Sequence, residues 1–255
     1  MRVIKIGGRA QGDPRLANAI WQAWSDAPGE ICLVHGGGDE ISAMQRALGR
    51  EAAFVGGRRV TSAGDLDLLR MVLSGIVNKR LVNGLVTVGV PALGLSGEDG
   101  ALIRAELIDA SALGFAGRPI GINVDLLRTL TMARYLPVIS PVGYNASNEK
   151  GGAVNVNGDD AAAAIAAALQ ADELLLIADV EGVRNRNGEI IQTLSCESAR
   201  DLVVNGTAGG GMAAKLESAE AALLAGVARV RVSDIEALGD DDRGTLITQS
   251  QSVAI

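Results

Sequence analysis

Apolar residues along the chain follow two rhythms. Short, mainly apolar runs at Arg2–Ile6 and 31–34 lead to glycines, Gly7-Gly8 and, past His35, Gly36-Gly37-Gly38, and read as strands buried on both faces. Between and after them, 17–24 and 39–48 carry apolar residues at helical spacing. Strand, glycine turn and helix, twice over, predict a βαβα opening and a mainly parallel sheet covered by helices on both faces. The segment 65–86 places Leu66, Leu69, Val72, Leu73, Ile76, Val77, Leu81 and Leu85 on one stripe and predicts a long amphipathic helix.

The pattern continues with turn-rich short strands over 94–121, a helix at 124–135 and a strand at 137–140. The segment 143–152, GYNASNEKGG, has the composition of a linker and predicts a lobe boundary there, with lobes 1–150 and 151–255. Helices are expected at 159–170, Cys196–Val204 and 211–225, with strands at 173–178 and 228–232.

Composition narrows the chemistry. The 255 residues include 39 Ala and 33 Gly but only two each of Phe, Trp and Tyr, which suits close backbone packing and disfavours reading bases by stacking. A net charge of −7 argues against a general nucleic-acid or anionic-membrane surface. No run of about 18 apolar residues occurs and the amino terminus lacks a signal-type apolar core, so a cytoplasmic protein is expected. Cys32 and Cys196 stand apart with no metal-type spacing, which predicts two small buried residues and no metal site. With one histidine, His35, triads and multi-histidine metal chemistry are excluded.

Lysine is rare, four against 19 Arg, and two of the four sit in telling places. Lys5 interrupts an apolar strand just before Gly7 and Gly8, where it either snorkels to a salt bridge or points into the crevice at the strand's carboxyl end. Lys215 follows Gly209-Gly210-Gly211 by about one helical turn, within reach of a phosphate at the helix start. No strand precedes these glycines, so a dinucleotide fingerprint fails its context, and no Walker A pattern is present.

Gly37 and Gly38 open a helix after His35, as an anion cradle or simply a tight turn, and His35 reads as a packing residue. Arg59, in GRRVT, is either a carboxylate clamp or part of a solvated face. In NVNGD, Asn155 is placed to orient a polar ligand, and Asp159 to cap a helix and hold ammoniums.

Taken in order, KIGG, HGGG, GRRVT, MVLSGIVNK, GLSGEDG, NVNGDDAA, ADVEGV and GGGMAAK resemble the amino-acid kinase family over nearly the whole chain. That resemblance implies an open three-layer αβα sandwich, with an N-terminal lobe for the amino acid and for dimerisation and a C-terminal lobe for ATP. It implies ATP- and Mg2+-dependent phosphorylation of the γ-carboxylate of N-acetyl-L-glutamate in arginine biosynthesis. By motif position, Lys5 and Lys215 would stabilise the transition state and Asp159 would organise them. Gly37, Gly38, Arg59 and Asn155 would hold the acetylated amino acid. Gly7 and Gly8 with Asp179, Val180, Glu181, Gly182, Val183, Arg184, Thr207, Ala208 and Gly209 would bind the nucleotide.

A homodimer through the helix holding 71–79 is implied too, with no nucleic-acid or membrane partner. Arginine-inhibited relatives carry a helix ahead of the first strand, so with Lys5 so early a dimer insensitive to arginine is expected. Two rivals remain. One is a kinase of the same fold acting on aminoadipate or glutamate attached to an acidic carrier protein, against which the net charge of −7 argues. The other is a silent amino-acid sensor, which would need neither phosphate-facing lysine. The chemistry fits a kinase: a carboxylate is already ionised at neutral pH, so its attack on phosphorus needs no general base.

Overall fold

The computed structural model describes residues 1–148 and 151–249. In chain order, β1 (Arg2–Ile6) passes through a 3-10 turn, Arg9–Gly12, to α1 (Leu16–Asp26), and β2 (Ile31–His35) leads into α2 (Gly38–Ala47). A small hairpin follows, β3 (Phe54–Val55) and β4 (Arg58–Arg59). Next, α3 (Ala63–Leu69) runs through a π-helical segment, Arg70–Val77, into α4 (Asn78–Thr87). Then come β5 (Ala92–Gly97), β6 (Ile103–Leu107), α5 (Ala110–Leu113), β7 (Ala116–Ile122), α6 (Val124–Met132), β8 (Leu136–Asn145) and β9 (Ala153–Val156). The chain continues with α7 (Gly158–Leu169), β10 (Glu173–Ile177), β11 (Thr193–Ser195), α8 (Cys196–Val204), α9 (Gly210–Leu224), β12 (Arg229–Ser233) and β13 (Thr245–Thr248).

One mainly parallel sheet in the order β11-β13-β12-β10-β1-β2-β8-β6-β7-β9 runs through the molecule, with β5 also paired to β8. Its central strands are buried on both faces, so alternate residues feed two cores. Ile4, Ile6, Leu33, Leu175 and Ile177 face the side covered by α1, α3 and α4. Val3, Val34, Leu174 and Leu176 face the side covered by α7 and α9. Lys5 lies in register with Leu176 and Val34, so strand alternation turns it toward α7 and α9. Strand β1 therefore delivers an ammonium to the carboxyl edge of a parallel sheet, on the face where two helices begin.

Two expectations need correction. The single helix predicted over 65–86 contains a π segment. Leu73 and Asn78, five residues apart, reach Gly37 just after β2 and His35 at its end, whereas an α-helix rotates such positions about 140° apart. The linker predicted at 143–152 belongs largely to a hairpin: β8 extends to Asn145 and β9 returns antiparallel, pairing Val142 with Asn155 and Tyr144 with Ala153. Polar glycine-rich composition marks a turn equally well in either setting. Residues 149–150, where the lobe boundary was expected, lie outside the described residues. Cys32 and Cys196 are free and buried, and burial pushes the Cys32 thiol up to about 12.

Candidate active site

The expected catalytic residues converge. Lys5 Nζ lies 2.8 Å from Asp159 Oδ1, and Lys215 Nζ lies 3.2 Å from Asp159 Oδ2. All three side chains are buried. Burial opposes ionisation of Asp159, yet the two ammoniums outweigh it and hold the carboxyl below its usual range. Burial, and next the nearby charge of Lys5, lower the Lys215 ammonium below its usual value. The cluster keeps a net positive charge with the desolvated lysines around one carboxylate.

Local chemistry explains how these groups are presented. Asn157 caps α7 by accepting the Asp159 N–H at 2.8 Å, so the expected capping role of Asp159 belongs to Asn157. That leaves the Asp159 carboxylate free to turn to the lysines. Gly158 lets the Lys5 stem pass, since a Cβ there would stand 3.2 Å from Lys5 Cε. Lys215 rises from α9, which begins just after Gly209; around Gly209, Gly210 and Gly211 a Cβ would meet open space.

Beside the cluster is a cavity of about 160 Å³ bounded by Gly36, Gly37, Gly38, Arg59, Asn155 and Gly158, among others. All four residues expected to hold the amino acid line it. Arg59 is buried, stacked 4.7 Å over the Phe54 ring, and donates to Gln45 Oε1 at 2.6 Å, Ser42 Oγ at 2.8 Å and the Gly38 carbonyl at 3.0 Å. These partners are neutral, so the guanidinium keeps its charge available to an incoming carboxylate. Asn155 donates to Thr61 Oγ1 at 2.9 Å. Ser42 and Gln45 had no signal in the sequence, because only the fold brings them to Arg59; Thr61 stands in GRRVT, but only the fold brings it to Asn155.

His35 is a packing residue, as expected. Its Nδ1 is 2.8 Å from the Gly36 carbonyl and its Nε2 is 3.1 Å from Asn78 Nδ2. Donation from Nδ1 and acceptance at Nε2 define a neutral imidazole, and burial lowers its pKa to about 4. Leu73 packs against the next turn residue, where a Cβ on Gly37 would lie 2.6 Å from Leu73 Cδ2.

The expected nucleotide residues gather at the carboxyl ends of β1 and β10 and the start of α9. The Gly7 N–H donates to the Ile177 carbonyl at 2.9 Å and joins β1 to β10. Gly8 heads the 3-10 turn. Asp179 is exposed and meets Arg9 at 2.9 Å, Val180 is half-buried, and Glu181 pairs with Arg243 at 2.9 Å. Gly182 packs tightly on Thr245, whose hydroxyl oxygen accepts the Val183 N–H at 2.8 Å. Arg184 donates to the Gly188 carbonyl at 2.7 Å. Thr207 is joined to the same loop by Arg186 Nε at 3.4 Å, and the Ala208 N–H is held by the Leu202 carbonyl, leading to Gly209 at the helix start.

A parallel αβα sandwich, with desolvated lysines about a carboxylate and a guanidinium-lined pocket at its strand ends, defines a phosphotransferase without a general base. The chain belongs to the amino acid kinase family, whose model matches residues 1–234, and the family implies ATP as donor. It is 40% identical to the acetylglutamate kinase of Cereibacter sphaeroides (strain ATCC 17029 / ATH 2.4.9), over 98% of this chain and 88% of that one. A solved protein of Streptococcus mutans UA159 superimposes with a TM-score of 0.86 at 29% identity, over 98% of both chains. An N-acetylglutamate synthase of Neisseria gonorrhoeae, solved with coenzyme A and N-acetyl-glutamate, gives 0.83 at 26% identity, over 98% of this chain and 60% of that one. Among the described residues, no helix is long and apolar enough to cross a membrane, and no group of three or more His, Cys, Asp or Glu is arranged to hold a metal.

Proposed function

We propose that this chain transfers the γ-phosphoryl group of ATP to the γ-carboxylate of N-acetyl-L-glutamate, giving N-acetyl-L-glutamyl 5-phosphate in arginine biosynthesis. The observation that carries the reading is the Lys5–Asp159–Lys215 cluster opening beside a cavity whose Arg59 meets only neutral acceptors. In this reading the positive charge of Arg59 and its donors not used on Gln45, Ser42 and Gly38 take the α-carboxylate, while Gly37, Gly38 and Asn155 hold the remainder of the acceptor. Lys5 and Lys215 neutralise charge on the phosphoryl group as it moves, and Asp159 keeps them in place. The γ-carboxylate attacks phosphorus, the bond to the β-phosphate oxygen breaks, and ADP leaves without proton transfer.

Mg2+ enters in this reading with ATP, bound to its phosphates; the carboxylates nearby are already paired, Asp159 with lysines and Asp179 with Arg9. The nucleotide sits along Gly8, the 179–184 loop and the 207–209 turn. Residues 1–150 form the acceptor lobe and 151–255 the nucleotide lobe. Two copies pair through the 71–79 helix, where Met71 and Ile76 are exposed, and the enzyme works in the cytoplasm.

The test is ATP-dependent ADP release with N-acetyl-L-glutamate, with hydroxylamine trapping the acyl phosphate and free glutamate and N-acetylaspartate as controls. Hydroxamate from N-acetyl-L-glutamate alone is expected. Folded, ATP-binding protein that turns over none of the three refutes the free-substrate reading and directs the search to a carrier-bound acceptor.

A further inference from the structure

We infer that Arg58 and Asp160 are positioning residues for this phosphoryl transfer: their ion pair, extended to Ser218, ties the hairpin walling the acceptor cavity to the helix that carries Lys215. The inference rests on the proposed reading for its kinetics but on geometry alone for its architecture.

The hairpin of β3 and β4 has two residues per strand, with Phe54 and Val55 exposed. So short a hairpin has little stability of its own and takes its position from contacts beyond itself. Adjacent strand residues point to opposite sides, and here both sides are held. Arg59 reaches inward to α2 through Gly38, Ser42 and Gln45. Arg58 also borders the cavity, but it directs its Nη1 to Asp160 Oδ2, at 2.5 Å, at the start of α7.

The second oxygen of Asp160 accepts the Ser218 hydroxyl at 2.8 Å. Ser218 is three residues beyond Lys215 on α9, a spacing that puts the two on one helix face. Consecutive aspartates at the start of α7 thus hold two parallel sets of partners. Asp159 joins Lys5 of the sheet to Lys215, and Asp160 joins Arg58 of the hairpin to Ser218. The wall that presents Arg59 to the acceptor and the helix that presents Lys215 to the phosphoryl group are fixed to one another through a single helical turn. Arg58 and Asp160 side chains are only 30% and 19% exposed, so the pair is better shielded than a surface ion pair.

The experiment compares wild type with R58L, D160N, S218A and the reversed pair R58D/D160R, by steady-state kinetics and by amide hydrogen exchange without ligands. In D160N, exchange over 53–60 should speed up by about tenfold or more while that of 173–177 is unchanged. The acceptor KM should rise about tenfold in both R58L and D160N, with kcat altered by less than about threefold. S218A should lower kcat severalfold with acceptor KM unchanged, and R58D/D160R should recover most of the KM lost in D160N. An effect in R58L alone would mean that Arg58 touches the acceptor directly, and the latch is then wrong. Exchange and KM within about twofold of wild type in D160N overturn it as well. The exchange arm needs no substrate, so it stands or fails separately from the identity of the acceptor, and if the reversed pair does not fold, D160N and S218A decide the matter.

Discussion

The ammonium of Lys5 and the carboxylate of Asp159 meet at 2.8 Å where the strand's neighbours in register, Val34 and Leu176, are fully buried aliphatics. A lysine at that depth requires a partner, and the partner is shared with Lys215. Two cations on one anion leave positive charge unspent in a dry place, and a phosphoryl group in flight, with charge spread over its oxygens, matches that surplus. Interactions of this kind strengthen toward the transition state rather than in ground-state binding. Lys5→Ala and Lys215→Ala are accordingly expected to lower kcat by about 10²–10³, with far smaller rises in KM. Steady-state kinetics of the two variants check this, and near-wild-type kcat in both would falsify the assignment.

The same burial sets the pH response. Lys215 loses its proton below the usual lysine range in the folded protein. Activity that requires its charge should therefore fall on the alkaline side before an ordinary lysine would titrate, and the profile of kcat/KM, which reports the free enzyme, should show it. Because this folded pKa lies below the unfolded one, Lys215 weighs against folding at neutral pH, and that penalty is relieved as pH rises through the folded value. Asp159 has the opposite sense. Its depressed pKa contributes stability above the unfolded carboxylate value, which is lost as pH falls through the folded one. Asp159→Asn leaves two buried ammoniums facing each other and should cost about 3–5 kcal/mol at neutral pH, measured by denaturant unfolding. It should also flatten the acid limb of the stability curve.

His35 offers a direct readout because it is the only histidine. With its pKa lowered to about 4 by burial, its ring signals in a proton NMR titration should stay fixed between about pH 8 and 5.5. A midpoint near 6.5 would show an imidazole in contact with solvent. The linkage follows: an unfolded histidine binds its proton near pH 6.5, so folding loses stability as pH drops from there toward 4, by roughly 3 kcal/mol over the full interval.

The long-range order of the fold was readable in the chain because buried parallel strands need short, mainly apolar runs. Arg2–Ile6 and Ile31–His35 announce themselves by such runs with glycines after them, and Glu173–Ile177 by its apolar run alone. Thr193–Ser195 and Thr245–Thr248 escaped, being three and four residues long at the sheet's far edge. The π segment escaped because apolar spacing over 65–86 fits an α-helix well enough, and its hydrogen-bond shift leaves no mark in composition. Lys5, Asp159 and Lys215 stood out as charges beside glycine turns. Arg58 and Asp160 did not, since 102 residues separate them and each reads alone as a surface charge. Asn157 taking the helix cap from Asp159 was likewise invisible, because either side chain can accept a backbone N–H.

Arg59 separates charge from shape. Its guanidinium uses both terminal nitrogens on Gln45, Ser42 and the Gly38 carbonyl, a spread that a single ammonium cannot reproduce. Arg59→Lys retains the charge but loses that anchoring and the fork. The acceptor KM should rise by about 10- to 100-fold, with ATP KM little changed. Equal KM in Arg59→Lys and wild type would show that charge alone suffices at this position.

Gly37 tests the wall behind the turn. A Cβ there would stand 2.6 Å from Leu73 Cδ2 and 3.4 Å from Val77 Cγ2, both on the π segment. The leucine methyl ends a flexible side chain but is held in a packed core, and Gly37 has φ +158° and ψ 26°, which strains an alanine whatever the space, so Gly37→Ala should cost about 1–3 kcal/mol and displace the turn that lines the acceptor cavity. Leu73→Ala alone should also destabilise, by leaving a cavity where Leu73 was. Combined, the two substitutions should cost less than their sum, because the smaller side chain makes room for the new methyl. A thermodynamic cycle on the four proteins measures the coupling. A favourable coupling accompanied by partial return of acceptor KM means that close packing of Leu73 on Gly37 sets the turn. Strict additivity means that the turn adjusts independently of the helix behind it.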